Sequence, residues 1–126
     1  MNILCGTDIV EVGRIKKAME AGPRFAEKVY TESETKYCES KNTGRYESYA
    51  ARFAAKEAFV KAVGAGLFKG AALKDAEICN DAGGAPFFRL HGGAAELYAL
   101  TGGKSISVSL SHTAQFAVAV VVIICE

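Results

Sequence analysis

The chain has 126 residues, of which half are hydrophobic and 23% are charged, and its formal net charge is +1. This length suits one compact domain, and so apolar a composition excludes a disordered chain. The near-zero net charge argues against a protein that coats nucleic acid, because neutralising phosphates requires a basic excess.

We expect no targeting or membrane segment. The N-terminus has no basic region and reaches Asp8 too early for a signal peptide. The longest apolar run, 116–125, is about half the length of a membrane helix, so we interpret it as a buried strand. The cysteines form no C-x-x-C pair, which favours reduced thiols in a cytoplasmic protein over a metal site. They are Cys5, Cys38, Cys79 and Cys125.

The hydrophobic periodicity predicts one α+β domain over residues 1–126. Thr31 and Glu34 have the spacing of a capping box, which predicts the start of a helix. No repeat, low-complexity tract or interdomain linker interrupts the pattern. In chain order, the predicted elements are a strand at 3–10, short helices broken at 22–23, a helix at 31–40, a long helix at 45–63 ended by the glycines of 64–66, strands at 76–79 and 86–90, a helix at 93–100, and strands at 105–111 and 116–124.

The strand predicted at 105–111 alternates apolar residues with serines, as a half-buried strand does. His112 shares the parity of the apolar residues, so we expect it to continue their buried side. A hydrolase triad built on Ser111 and His112 is disfavoured because the chain has no G-x-S-x-G nucleophile elbow.

Two acids interrupt otherwise apolar segments. Glu57 falls within the apolar arc of the long helix, and Asp8 lies inside the first strand. A carboxylate at such a position costs several kcal/mol unless it is paired or binds a cation. Glu57 could pair with Lys61 one turn later, and Asp8 could cap the next helix. Alternatively, both could bind Mg²⁺, which prefers one or two carboxylates completed by water and substrate phosphates.

Two basic features accompany these acids. Lys56 also falls on the apolar arc, and we expect its long side chain to carry the ammonium out to solvent. Between Gly13 and Lys28, basic residues outnumber acidic ones. Such a run is either a solvated helix face or a docking surface for an acidic protein.

Three motifs occur in a fixed order along the chain. They are GTDIVE at 6–11 followed by Arg14-Ile15, RFAAKEA at 52–58 followed by Lys61-Ala62 and Gly64-Ala65-Gly66, and SVSLSH at 107–112. Together they resemble the small, single-domain 4′-phosphopantetheinyl transferases, the holo-(acyl-carrier-protein) synthases. The likeness spans nearly the whole chain, and the middle motif is its most specific part.

The resemblance implies transfer of the phosphopantetheine arm of coenzyme A to a serine of an acidic apo-acyl carrier protein, in support of fatty acid biosynthesis. It also implies a Mg²⁺ cofactor, a mainly antiparallel sheet against a long helix, and a homotrimer with its sites between subunits. Asp8 and Glu57 would hold the metal, and Glu57 and Lys61 would be catalytic. The implied coenzyme A contacts are Arg45, Arg52, Lys61, Gly64, Pro86, His112 and Thr113, and the implied carrier-protein contacts are Arg14, Arg24 and Phe25.

One position departs from the family. Gly84-Ala85-Pro86 stands where the family often has Gly-Lys-Pro, so a lysine contact to a coenzyme A phosphate is missing. Two other functions stay open. A Mg²⁺-dependent pyrophosphohydrolase would use the same acids without a carrier protein. A non-catalytic carrier-binding module would have no use for Glu57 and Lys61.

Overall fold

The computed structural model describes residues 1–64 and 72–126. Ala65 and Gly66 of the motif predicted to end the long helix lie outside the described residues. The elements, in chain order, are β1 (Asn2–Glu11), α1 (Val12–Glu20), α2 (Arg24–Val29), α3 (Glu32–Glu39), α4 (Arg45–Val63), β2 (Ala76–Asn80), β3 (Pro86–Leu90), α5 (Gly92–Leu100), β4 (Gly103–His112) and β5 (Phe116–Cys125). The predicted α+β class and the bounds of the long helix are confirmed.

The most apolar strand, β5, lies at the centre of a three-stranded antiparallel sheet with the order β1–β5–β4. A central strand is hydrogen-bonded along both edges, which suits its uninterrupted run of apolar residues. β2 and β3 form a separate antiparallel hairpin. In the register of β1 and β5, Asp8 lies opposite Ala119, so the first acid is held inside the sheet.

The long helix α4 packs across one face of this sheet, against β1 and β5. The inward residues of β5 are fully or almost fully buried, and several are small, which lets the helix approach closely. Gly6 on β1 shows how close: a Cβ there would overlap the backbone carbonyl oxygen of Ala58. The glycine of the first motif is therefore required by the contact between strand and helix.

The opposite face of the same sheet is apolar and exposed. Ile3 and Ile9 on β1 are 61% and 63% exposed, next to partly exposed side chains of β5. Isolated apolar residues at a surface are ordinary, but a contiguous set across two strands typically marks an interaction surface. The exposed apolar face of the sheet is formed by Ile3, Ile9, Phe116, Val120 and Ile124.

Among the described residues, no helix has the length and apolarity needed to cross a membrane.

The interior between α3, α4 and β2 contains a buried ion pair. Lys56 is fully buried, and its ammonium donates to Glu34 Oε1 at 2.9 Å and to the carbonyls of Leu73 and Ala76 at 3.0 Å each. The other oxygen of Glu34 accepts from the Ile78 amide at 2.8 Å. The expectation that Lys56 reaches solvent is wrong, because three acceptors satisfy its three donors inside the protein.

The capping box predicted from Thr31 and Glu34 is confirmed and is connected to this pair. Thr31 Oγ1 also donates to Glu77 Oε2 at 2.6 Å, and the other Glu77 oxygen lies 2.9 Å from His91 Nε2. The cap therefore joins α3 to β2 and to the start of α5, which fixes the elements that surround α4.

Candidate functional site

The first candidate site forms where β1 meets the second half of α4. The Lys61 ammonium lies 3.1 Å from Asp8 Oδ1 and donates to the Thr7 carbonyl at 3.0 Å. Of the two alternatives for Glu57, the ion pair with Lys61 is therefore not formed, because the Lys61 ammonium pairs with Asp8 instead. The alternative that Asp8 caps the following helix is also wrong, because Glu11 occupies the N-cap position of α1 and no side chain caps it.

Glu57 is half-buried beside this pair and carries a perturbed carboxyl group. Burial raises the pKa of Glu57, and the negative charge of Asp8 raises it further. The positive charges of Lys61 and Arg14 oppose the increase in pKa without cancelling it. Glu57 and Asp8 are two partly buried carboxylates whose charges repel each other. A bound cation would stabilise this arrangement.

The donor set of this cluster fits a hard divalent cation. Asp8 is only 17% exposed, and the charged groups that act on Glu57 beside it are Asp8, Lys61 and Arg14. Within residues 1–64 and 72–126, no group of three or more His, Cys, Asp or Glu side chains is close enough to form a complete metal site. A pair of carboxylates that leaves the other positions to water and substrate phosphates is typical of Mg²⁺.

A second candidate site is a cleft of about 550 Å³ between α3, the first half of α4, the β2–β3 turn and the end of β4. Arg52 lines it and is 3% exposed, with its guanidinium 4.0 Å from the centre of the Tyr37 ring. One terminal nitrogen donates to Asn80 Oδ1, but Nε is buried and has no hydrogen-bond partner within the described part of the chain. A buried donor without a partner costs free energy, so this cleft is suited to an anionic ligand.

The structure brings only some of the expected coenzyme A residues into this cleft. Arg52, Pro86 and His112 line it. His112 is exposed at the end of β4, so the expectation that it continues the buried side is wrong. The strand ends there, and the residue leaves the sheet's packed interior for the rim of the cleft.

The other expected coenzyme A residues are placed elsewhere. Lys61 belongs to the carboxylate cluster, and Gly64 ends α4 with a φ of +105°. Thr113 accepts from the amides of Gln115 and Phe116 and so shapes the β4–β5 turn. Arg45 does not line the cleft, since its side chain lies over the ring of Tyr46 at 4.7 Å.

The expected docking residues lie on α1 and α2. Arg24 and Phe25 line a groove between these helices. The Phe25 ring also packs against Phe53 at 5.8 Å, so it has a share in the core as well as in the groove. Arg14 lies near enough to Glu57 to lower its pKa, which places α1 beside the carboxylate cluster.

Two side chains of the cleft were not predicted from the sequence. Tyr37 supplies the ring against which Arg52 stacks, and Asn80 accepts its hydrogen bond. Both lie on elements distant in sequence from α4, and a single tyrosine or asparagine in a short helix or strand end carries no periodic signal. Only the long-range packing of α3 and β2 on α4 reveals them.

Comparison with known proteins identifies the family. Residues 4–121 match the 4′-phosphopantetheinyl transferase superfamily. The chain is 56% identical over 124 residues to a holo-(acyl-carrier-protein) synthase of Ruminiclostridium cellulolyticum, covering 98% of this chain and 92% of that protein.

Two solved structures agree over almost the full length. A holo-(acyl-carrier-protein) synthase of Bacillus anthracis in complex with CoA (3′,5′-ADP) has a TM-score of 0.79 and 35% identity, covering 98% of this chain and 96% of that chain. The Helicobacter pylori synthase in complex with coenzyme A has a TM-score of 0.81 and 35% identity, covering 95% and 99%. With its three motifs, its α+β fold and these relatives, this chain belongs to the 4′-phosphopantetheinyl transferase superfamily.

Proposed function

We propose that this chain is a holo-(acyl-carrier-protein) synthase. It transfers the 4′-phosphopantetheine moiety of coenzyme A to a serine of apo-acyl carrier protein and releases adenosine 3′,5′-bisphosphate, in support of fatty acid biosynthesis. The observation that carries this proposal is the cluster of Asp8, Glu57 and Lys61, in which two partly buried carboxylates and a lysine meet. The name of the Ruminiclostridium relative and the coenzyme A complexes of the two solved relatives support it.

Asp8 and Glu57 are the residues that would hold Mg²⁺. The bound ion would neutralise charge on the pyrophosphate while one of its phosphorus–oxygen bonds breaks. Lys61, held by Asp8 and the Thr7 carbonyl, presents a positive charge at the same place. It can therefore stabilise the charge that develops on the phosphate oxygens in the transition state.

The reaction needs no nucleophile from this chain. The hydroxyl oxygen of the carrier's serine attacks the phosphorus that bears the pantetheine arm, and the bond from this phosphorus to the bridging oxygen breaks. The bridging oxygen leaves with adenosine 3′,5′-bisphosphate. The proton of the hydroxyl must also leave, and Glu57, or a water beside it, would accept it.

The cleft beside Arg52 is assigned to the nucleotide part of coenzyme A. The buried Nε of Arg52 has no partner among the described residues, and His112 at the rim offers a second nitrogen donor. The groove of Arg24 and Phe25, together with Arg14, is assigned to the acidic carrier protein. No cation is contributed at position 85, so coenzyme A is held without a lysine from the β2–β3 turn.

We also propose a homotrimer whose sites lie between neighbouring subunits. The exposed apolar face of the sheet supports this assembly, because burying it against other copies would remove it from water. The free thiols Cys5, Cys38, Cys79 and Cys125 suit a reducing compartment, and we place the reaction in the cytoplasm on that ground.

The test is intact-mass spectrometry of an apo-acyl carrier protein incubated with this protein, coenzyme A and Mg²⁺. We expect one phosphopantetheine group to be added to each carrier and adenosine 3′,5′-bisphosphate to be released in equal amount. A carrier variant whose target serine is replaced by alanine is the control and should stay unmodified. Cleavage of coenzyme A without modification of the carrier would support a pyrophosphohydrolase instead. An unmodified carrier with intact coenzyme A would refute the proposal.

A further inference from the structure

The ring of Tyr46 brings together cations from two different helices. The Arg45 guanidinium of α4 lies 4.7 Å from the ring centre, and the Lys16 ammonium of α1 lies 5.6 Å from it. Each distance is within the range in which a cation is attracted to an aromatic face. One partly buried tyrosine therefore holds two positive charges at the junction of α1 and α4. We call Lys16, Arg45 and Tyr46 the junction patch.

The positive charge of the junction patch is poorly neutralised within the chain. Lys16 is exposed and forms no ion pair with the described residues. Among the described residues, Arg45 forms one ion-pair contact, at 4.0 Å from Glu39, and both side chains are substantially exposed. The Arg45 guanidinium also donates to the Asn42 carbonyl at 3.2 Å, which satisfies one donor without neutralising its charge. The other Glu39 oxygen accepts from the Tyr49 hydroxyl at 2.7 Å. The Glu39 carboxylate is therefore shared between Arg45 and Tyr49.

The location of Arg45 on its helix adds to this excess. Arg45 is the first residue of α4, where the helix dipole is positive, and the N-cap Gly44 supplies no side-chain acceptor. Glu47 is the acidic residue of this first turn, and its single charge faces the helix dipole as well as the two cations of the junction patch. A cation is unfavourable at this end of a helix. The arrangement becomes favourable when an anion lies against Lys16, Arg45 and the helix end together.

The direction of α1 connects the junction patch to the surface already assigned to the carrier protein. Arg14 on α1 is close enough to Glu57 for its charge to lower the pKa of that carboxyl, whereas the Lys16 ammonium, two residues later, lies 5.6 Å from the centre of the Tyr46 ring. Residues 46 and 57 are eleven positions apart on α4, which corresponds to about 16 Å along a helix. α1 therefore presents cations at two levels of α4, one near the carboxylate cluster and one at the junction patch.

We propose that the junction patch is a second anchoring point for the acidic carrier protein, and that Arg45 contacts this partner rather than coenzyme A. This inference rests on the proposed function, because it extends the docking surface of that reaction. The carrier's carboxylates would pair with Lys16 and Arg45, while Tyr46 keeps both cations in place. The absence of Arg45 from the lining of the Arg52 cleft is consistent with this division.

The test measures carrier binding separately from catalysis. A fluorescently labelled apo-acyl carrier protein with its target serine replaced by alanine is titrated with wild type, K16M, R45M, Y46L and Y46F. K36M is the matched control, because Lys36 is an exposed lysine of α3 outside both clefts. Thermal unfolding of each variant verifies that it is folded, and R45K serves as the charge-preserving variant.

We expect K16M and R45M each to weaken carrier binding about 3- to 10-fold at low salt, with a smaller effect at high salt, since exposed charges act through screened attraction. Y46L should weaken binding similarly, whereas Y46F, R45K and K36M should bind within about 2-fold of wild type. The KM for coenzyme A should be unchanged in R45M.

Two results would overturn the inference. One is unchanged carrier binding in R45M with a raised KM for coenzyme A, which would assign Arg45 to the nucleotide. The other is binding as tight as wild type in both K16M and Y46L. Carrier binding is measured on a carrier that cannot be modified, so failure of this inference is distinguishable from failure of the proposed function, which a wild-type protein unable to modify the carrier would show.

Discussion

Replacing Lys56 by methionine tests how much the buried pair contributes to the fold that positions the site. The side chain is fully buried, and its loss leaves the equally buried Glu34 carboxylate without its cation. Breaking such a pair from one side typically costs about 3–5 kcal/mol. Two backbone carbonyls also lose their donor, at about 1 kcal/mol each if nothing replaces it. We therefore expect Lys56→Met to lower the free energy of unfolding by at least about 3 kcal/mol, a large part of the roughly 5–15 kcal/mol of a typical domain.

The assay is urea unfolding at neutral pH and one fixed protein concentration, because oligomerisation would otherwise change the apparent stability. The double variant Lys56→Met/Glu34→Gln should recover part of the loss, since Gln carries no charge and its amide oxygen can still accept from the Thr31 amide of the capping box. The recovery is partial because the Ile78 amide then loses its acceptor. Lys104→Met is the matched control: it breaks the exposed pair with Glu126 and should cost less than about 1 kcal/mol. A loss below about 1 kcal/mol for Lys56→Met, or a double variant no more stable than the single one, would refute the reasoning.

Three further predictions concern docking, packing and assembly. Arg14→Glu should raise the KM for the carrier protein, and the effect should shrink as the salt concentration increases. Steady-state kinetics at two salt concentrations measure this effect, and a carrier KM equal to that of the wild type at low salt would contradict the docking assignment. Gly6→Ala should destabilise the protein by at least about 1–3 kcal/mol in urea unfolding, because the added Cβ overlaps the backbone of α4. Gly13→Ala is the control, since no atom lies near its Cβ, and it should not destabilise the protein. Equal stabilities of the two variants would contradict the close contact between β1 and α4. Light scattering at micromolar concentration should give the mass of a trimer for wild type and a smaller mass for Val120→Asp; a wild-type monomer would contradict the proposed assembly.

Much of the fold follows from local sequence patterns. The capping box at Thr31 and Glu34, the apolar run of β5 and the bounds of α4 are each dictated by residues close in sequence, and each is confirmed. The two acids of the candidate metal site were also identified from the sequence. A carboxylate in an apolar segment indicates that a cation or a hydrogen-bond donor must stabilise its charge. This indication can be read from the sequence without knowledge of the fold.

The partners of the charged residues could not be predicted in this way. Lys61 pairs with Asp8, 53 positions away, rather than with Glu57 one turn earlier. Lys56 is buried because α3 brings a carboxylate to it, while β2 and the segment before it bring one carbonyl each, and its own helix gives no indication of these partners. Long-range packing also decides that His112 reaches the rim of a cleft, although its parity in β4 predicts burial.

The central claim is that Glu57 acts as a metal ligand in phosphopantetheine transfer rather than as a structural charge. Glu57→Gln keeps the shape of the side chain and removes its charge. Its kcat with Mg²⁺, coenzyme A and carrier protein should fall at least about 100-fold, the effect of losing one electrostatic catalytic group.

The most direct measurement pairs that kcat with the unfolding temperature of Glu57→Gln in the absence of Mg²⁺. The pKa of Glu57 is higher in the folded protein than in the unfolded chain. The stability that this group contributes is therefore present at pH values below its unfolded-state pKa, and it is lost as the pH rises through its folded-state pKa. At neutral pH the charged group therefore opposes folding, and Gln should leave the unfolding temperature unchanged or higher. A large loss of kcat with no loss of stability is the result we predict. A normal kcat together with a clear drop in unfolding temperature would contradict the assignment of Glu57 as a metal ligand.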